Sequence, residues 1–297
     1  MRVALAQLDS RLGDLDANRA RARRTFADAA AAGADLVVFP ELQLSGYAVV
    51  HTDRETACTA DELAPLAADA AGASVLFGFH ERSLGRSYNS AAYYEGGALV
   101  HVHRKLYLPE TVADESLVFT PGERMRAFDT GFGCVAVLIC NDAWQPVLPF
   151  LAAHEGARVL FMPACSSTFL PEAEPYWFDL TRFYAQMLEC WVVFVNRVGD
   201  ERGLSFWGGS HVVDPFGEVV AEAARFEEEL LLVDIDPAVA DERRRDVPLL
   251  VDPRYDVLRA EAERLGVVPG PLPGVVVLPA AEAGSDPSGD AELGPLF

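Results

Sequence analysis

Three reactive side chains stand just beyond apolar runs of the sequence. Glu41 follows the run Leu36-Val37-Val38-Phe39 and a proline, Pro40, that stops it. Strand ends open onto crevices in α/β proteins, so a carboxylate there is well placed to handle a proton. Lys105 leaves a second run in His103-Arg104-Lys105-Leu106-Tyr107-Leu108-Pro109. A lysine in an apolar setting is a fixed positive charge for a developing oxyanion. Cys140 closes Cys134-Val135-Ala136-Val137-Leu138-Ile139-Cys140, and a helical stretch follows within a few residues. A thiol at a strand-to-helix turn is accessible, and a nearby backbone N–H can stabilise an oxyanion. Taken singly, each also fits a plainer role: a solvated loop glutamate, a surface basic cluster, a packed core thiol. The last suits Cys134 and Cys190 well.

Other strings carry less chemistry. Gly131-Phe132-Gly133-Cys134-Val135-Ala136 imitates a dinucleotide fingerprint, but it precedes a strand instead of opening a helix. His101 and His103 alternate on a strand without companion metal ligands, so ordinary packing is expected of them. Gly208-Gly209-Ser210-His211 is not the GxSxG of a serine hydrolase. Glu227-Glu228-Glu229 and Arg243-Arg244-Arg245 read as solvated faces.

The elements that must position these residues alternate along the chain. Strands are predicted at 3–8, 36–39, 74–80, 134–140, 159–162, 191–195 and 230–235, with hairpins at 89–103 and 210–223. Helices are predicted at 16–32, 61–71, 147–155, 178–189 and 252–265. Helices between strands indicate a layered α/β domain, and the hairpins require mixed sheets. The strands are too many for one comfortable open sheet, so two packed sheets are expected. The sequence shows no internal repeat. After Gly266 it turns Pro/Gly-rich, which divides the 297 residues into a domain at 1–266 and a tail at 267–297.

Composition narrows the classes. Hydrophobic residues make up 51% and charged residues 23%, as in a globular protein rather than a disordered one. The net charge of −21 argues against nucleic acid and anionic membranes as partners. No apolar run reaches the roughly 18–20 residues of a membrane span, and no signal peptide is recognisable. Five cysteines, an odd number with wide spacing and no CxxC, point to the cytoplasm.

The order of the three strings is more informative than any one. A glutamate, a lysine 64 residues on and a cysteine 35 residues after that, in FPEL, HRKLYLP and ICND, resemble the nitrilase superfamily of carbon–nitrogen hydrolases. Val195-Asn196-Arg197-Val198-Gly199 and Gly208-Gly209-Ser210 leading to Asp214-Pro215-Phe216-Gly217 are similar too. The likeness covers residues 1 to about 266. It implies a four-layer α-β-β-α sandwich with two mixed β-sheets, a Glu-Lys-Cys triad of Glu41, Lys105 and Cys140, and a homodimer or higher homo-oligomer. It also implies a second glutamate between the lysine and the cysteine. Similarity to the glutaminase domains of NAD synthetases places that residue at Glu115, with Glu110 as the alternative.

The resulting expectation is an amidase that releases ammonia from a small amide through a cysteine thioester. Glu41 acts as base, and the Lys105 ammonium and the Asn141 backbone N–H hold the oxyanion. No metal or organic cofactor is expected, because thiol, base and oxyanion donors cover each step. Other substrates stay open. Cys140-Asn141-Asp142 is reminiscent of N-carbamoyl-D-amino-acid amidohydrolases, but Ala143-Trp144-Gln145-Pro146 replaces their paired arginines. A nitrilase would use the same triad. A stand-alone glutaminase subunit would need a separate synthetase partner, and a non-catalytic binding protein would keep the fold alone.

Overall fold

The computed structural model describes residues 1–52, 55–109 and 115–266. Glu110 and the expected tail at 267–297 lie outside the described residues. Met1–Asp252 form one compact unit. Its elements are β1 (Arg2–Gln7), α1 (Leu15–Ala31), β2 (Leu36–Val38), α2 (Ala60–Ala68), β3 (Ser74–Ser83), β4 (Arg86–Glu95) and β5 (Ala98–Arg104). They continue as β6 (Ala127–Thr130), β7 (Gly133–Val137), α3 (Val147–His154), β8 (Val159–Ala164), α4 (Ala173–Leu188) and β9 (Trp191–Asn196). Then come β10 (Val198–Glu201), β11 (Leu204–Trp207), β12 (His211–Val213), β13 (Val219–Glu222), β14 (Glu229–Asp234) and α5 (Ala238–Asp246). A second unit begins at Pro253 and contains α6 (Tyr255–Arg264).

Two six-stranded mixed sheets form the centre, ordered β14-β1-β2-β3-β4-β5 and β13-β12-β9-β8-β7-β6. In each, three parallel strands are flanked by antiparallel ones: β1, β2 and β3 in the first, β7, β8 and β9 in the second. Parallel strands buried on both faces are made from continuous apolar runs. Leu36–Val38 and Val159–Ala164 fit this, with every residue buried. Alternate residues point to opposite faces. Val3, Leu5, Leu36 and Val38 of the first sheet meet Val135, Val137, Val159 and Phe161 of the second in one inter-sheet core.

The outer faces are covered by helices. α1 presents Ala22, Phe26 and Ala29, at helical spacing, to Ala4, Val37 and Phe77, with Leu63 and Leu66 of α2 beside them. α3 and α4 cover the other sheet through Leu148, Ala152, Trp177 and Tyr184. The layers are therefore α-β-β-α. The helices start where the sequence provides caps. The Asp14 carboxylate accepts the Ala17 N–H, and Thr59 and Glu62 form a capping box at α2.

Three expectations change in detail. The run at 134–140 is a strand only to Val137, and Cys140–Asp142 is a 3-10 turn. α4 starts at Ala173 rather than at 178, because Pro175 sits in the first turn, where its missing N–H has no intrahelical partner to lose. Arg243–Arg245 are not simply a solvated face: they end α5, and the Arg244 guanidinium donates to the Ala157 carbonyl at 2.6 Å.

Candidate active site

The first elbow is the one that carries Glu41. It leaves β2 at Pro40 and crosses closely over β3. A Cβ on Gly78 would lie 2.2 Å from the Pro40 carbonyl oxygen and 2.5 Å from the Leu42 nitrogen, so only glycine permits the crossing. Leu42 then turns the chain with φ of 49°. Glu41 is 1% exposed. Its Oε1 accepts the Asn89 Nδ2–H and the Lys105 ammonium, both at 2.7 Å, and its Oε2 accepts the Cys165 backbone N–H at 2.8 Å.

Lys105 comes off the end of β5. Its backbone is pinned on both sides: its N–H donates to the Asn89 carbonyl, and its carbonyl accepts from Gly122, each at 2.8 Å. Gly122 lies so close to Arg104 that an added Cβ would stand 2.3 Å from the Arg104 carbonyl oxygen. The ammonium, fully buried, donates to Glu41 and also to Glu115 Oε1 at 2.7 Å. Glu115 begins a 3-10 turn and accepts the Tyr47 hydroxyl at 2.9 Å and Asn89 Nδ2 at 3.2 Å.

Cys140 sits at the mouth of the second sheet with φ of 46°. A left-handed conformation is uncommon for a residue with a side chain and recurs at functional sites. The turn is held by Asp142. Its Oδ1 accepts the backbone N–H groups of Leu106 and Tyr107 at 2.9 and 3.0 Å, and its Oδ2 accepts Ile139 N at 3.3 Å and meets His103 Nε2 at 2.9 Å. One carboxylate thus clamps the segment following Lys105 to the elbow carrying Cys140. The 3-10 turn begins with the bond from Asp142 N to Ile139 O, which leaves the Asn141 N–H without an intrahelical acceptor.

The electrostatics follow from burial. Desolvation works against the Lys105 ammonium, but the charges of Glu115 and Glu41 outweigh it and hold the group protonated well above its ordinary value. Burial raises the Glu115 carboxyl, and Lys105 opposes that rise. Burial, reinforced by the Glu41 charge, pushes the Cys140 thiol well up, with Lys105 and the Cys165 N–H pulling the other way. At neutral pH the sulfur keeps its proton until something takes it. Cys140 lines a cavity of about 250 Å³.

Four of the predicted residues are brought together: Glu41, Lys105 and Glu115 by hydrogen bonds, and Cys140 through its electrostatic coupling to all three. The structure adds Asn89, Tyr47, Cys165 and Asp142, which sequence reasoning did not assign. A signal for the lysine was present and unused: among 24 basic residues, Lys105 is the only lysine. Among the described residues, no group of three or more His, Cys, Asp and Glu side chains could hold a metal ion. No described helix is long and apolar enough to cross a membrane.

The carbon–nitrogen hydrolase family model matches residues 2–245. The chain belongs to that family. It is 35% identical over 272 residues to a glutamine-dependent NAD(+) synthetase of Thermotoga maritima, covering 88% of this chain and 46% of that protein. The chain therefore spans about half the length of the NAD synthetases it matches. It is 32% identical over 260 residues to an (R)-stereoselective amidase of a Pseudomonas species, covering 86% of this chain and 92% of that one. Among solved structures, a glutamate-to-glutamine variant of the amidase from Nesterenkonia sp. AN1 superposes with a TM-score of 0.74 at 25% identity, over 88% of this chain and 99% of that one. That variant carries the result of Michael addition of acrylamide at its active site cysteine.

Proposed function

We propose that this carbon–nitrogen hydrolase is an amidase that works through a thioester on Cys140. The observation that carries the reading is the junction of Lys105 with both Glu41 and Glu115 at 2.7 Å, buried behind a cavity-lining cysteine. Because the resting thiol keeps its proton, attack must be coupled to proton transfer. Glu41 takes the proton as sulfur adds to the amide carbon. The oxyanion is met by the Lys105 ammonium and the Asn141 N–H; one such donor is worth roughly 3–4 kcal/mol of barrier. Glu41 then protonates the leaving nitrogen, and the amine or ammonia departs. Water attacks the thioester and gives its proton to Glu41, which returns it to sulfur as the acid leaves. Glu115 and Asn89 keep Lys105 and Glu41 in register throughout, so they are positioning residues.

The test is ammonia release from primary amides by the wild type and by Cys140→Ser, together with intact-mass measurement after mixing. Wild type should show a transient acyl adduct at Cys140. Cys140→Ser should fold and show neither adduct nor turnover, since a hydroxyl is far harder to deprotonate. Ammonia release by Cys140→Ser above a few per cent of wild type would sink the assignment.

A further inference from the structure

The cavity in front of Cys140 has walls that say more about the substrate than the reaction does. Trp144, Trp177, Phe169 and Leu170 are among its lining residues, and among the described residues no charged side chain lines it. Trp144 and Trp177 meet edge-on with ring centroids 5.5 Å apart. They form a corner of carbon surface beside the sulfur.

Several polar atoms near these walls are already engaged within the protein. The Trp177 and Trp207 indole N–H groups both donate to Ser166 Oγ, at 3.0 and 3.1 Å. Ser167 Oγ accepts the Phe169 N–H at 3.4 Å, and Asn141 Nδ2 donates to the Tyr107 carbonyl at 3.1 Å. The Tyr47 hydroxyl donates to Glu115 at 2.9 Å. The charged groups behind Cys140 are bonded to one another.

Size agrees with this chemistry. An apolar cavity of roughly 150 Å³ takes up benzene. The 250 Å³ here leaves room for a ring and a short linker to the carboxamide. Offset and edge-to-face contacts with two indoles favour an aromatic guest.

We infer that the substrate is an uncharged amide whose acyl group ends in an aromatic or bulky apolar moiety, and that amides bearing a carboxylate, glutamine included, are excluded. This rests on the amidase reading above and deepens it. A carboxylate placed against these walls would meet carbon surface in place of water and no cation among the lining side chains, which lowers kcat/KM by at least about 100-fold.

The experiment uses the full chain and measures ammonia release from 3-phenylpropionamide, glutamine and succinamate. The expected result is a kcat/KM for the aromatic amide at least about 100-fold above both others. A smaller ratio, or a preference for a carboxylate amide, overturns the inference and leaves the amidase reading intact. A second arm does not depend on turnover. The rates at which 2-bromo-3-phenylpropionamide and 2-bromo-3-carboxypropionamide alkylate Cys140, each divided by its rate with glutathione, should favour the phenyl reagent by the same order. Equal normalised rates overturn the inference. No turnover of any amide, with Cys140 unlabelled by both reagents, overturns the inference and the amidase reading together. Trp144→Arg should lower the phenylpropionamide rate and raise that of succinamate, and an unchanged ratio in a folded variant counts against the inference.

Discussion

Replacing Lys105 by Met removes one ammonium and leaves two buried carboxylates facing each other. In the wild type the cation donates to Glu41 and Glu115 at 2.7 Å each, and none of the three is more than 1% exposed. Breaking a buried ion pair from one side costs about 3–5 kcal/mol, because a charge is left without its counterion. Here two carboxylates lose the same partner. Glu41 keeps Asn89 Nδ2 and the Cys165 N–H, and Glu115 keeps the Tyr47 hydroxyl and Asn89. Those donors limit the loss, so the usual range is expected. For a domain of this size it corresponds to a drop in Tm of roughly 6–20 °C.

Two further measurements separate this account from a general core defect. Adding Glu115→Gln to Lys105→Met removes one of the stranded charges and should recover about 1–3 kcal/mol of stability while leaving activity lost. Acidification should also help the single variant. The Glu115 carboxyl already sits above its ordinary value through burial, and Lys105 is what opposes a further rise. Without the lysine, its folded value climbs further above the unfolded one. Stability is then regained as pH falls from neutral through that folded value. Urea melts between pH 5 and 8 read both effects. A Lys105→Met protein within about 1 kcal/mol of wild type, or a double variant weaker than the single, would refute the reasoning.

The other predictions concern the parts that hold the site. Glu41→Gln should give no ammonia burst and no acyl adduct with an amide. Glu115→Gln should still be alkylated at Cys140 by a small electrophile, yet turn over amides at least about 100-fold more slowly. An adduct trapped on the first variant and absent from the second would reverse the roles. The probe must be an amide whose only electrophilic carbon is its carbonyl, since the Nesterenkonia amidase with Gln for Glu still adds acrylamide at its cysteine by Michael addition. Gly78→Ala puts a Cβ 2.2 Å from the Pro40 oxygen. It should lower kcat with a stability loss of about 1–3 kcal/mol, and wild-type kinetics would contradict the close-crossing argument. Asp142→Asn keeps one oxygen and replaces the other with a donor, so two of the four donors it holds lose their acceptor. It should lose about 2–3 kcal/mol in denaturant melts together with activity, whereas a loss of activity alone would place Asp142 at the substrate instead.

The order of Glu41, Lys105 and Cys140 was legible because each stands just past a strand-like run, and strand ends are readable from composition. The alternation of strands and helices likewise indicated a layered α/β domain with two packed sheets, and the resemblance supplied the α-β-β-α order. What stayed hidden was pairing across long sequence distances. Asn89 lies mid-strand in β4 and reads as an ordinary polar residue, yet its Nδ2 bridges Glu41 and Glu115. Tyr47 lies in the Ser45-Gly46-Tyr47 string that follows the first elbow, but nothing local indicates that its hydroxyl reaches Glu115, 68 residues away. Asp142 looks like a companion of the cysteine, and only the fold shows that it grips the lysine's segment. The short strands β6, β10 and β11 were missed because AFDT, VGDE and LSFW are neither continuous apolar runs nor long enough for alternation to show.

The two sheets explain why these elbows meet. Followed from β14 and from β6, they have the same succession of pairings: antiparallel, parallel, parallel, antiparallel, antiparallel. β2 and β8 hold the same place in that succession, and Glu41 and Cys165 lie just past their respective ends. The two residues touch, the Cys165 N–H on Glu41 Oε2 at 2.8 Å and its Sγ against the Glu41 carbonyl oxygen at 3.1 Å. The seam between the sheets is thus fastened at the residue proposed as the base. β7, beside β8, delivers Cys140 to one flank of that seam, and β5 delivers Lys105 by way of the antiparallel hairpin. A buried lysine between two carboxylates is a poor way to stabilise a core, since apolar residues of the same volume do as well or better. Its presence at the point where the strand ends converge is therefore better explained by proton transfer and oxyanion stabilisation than by folding.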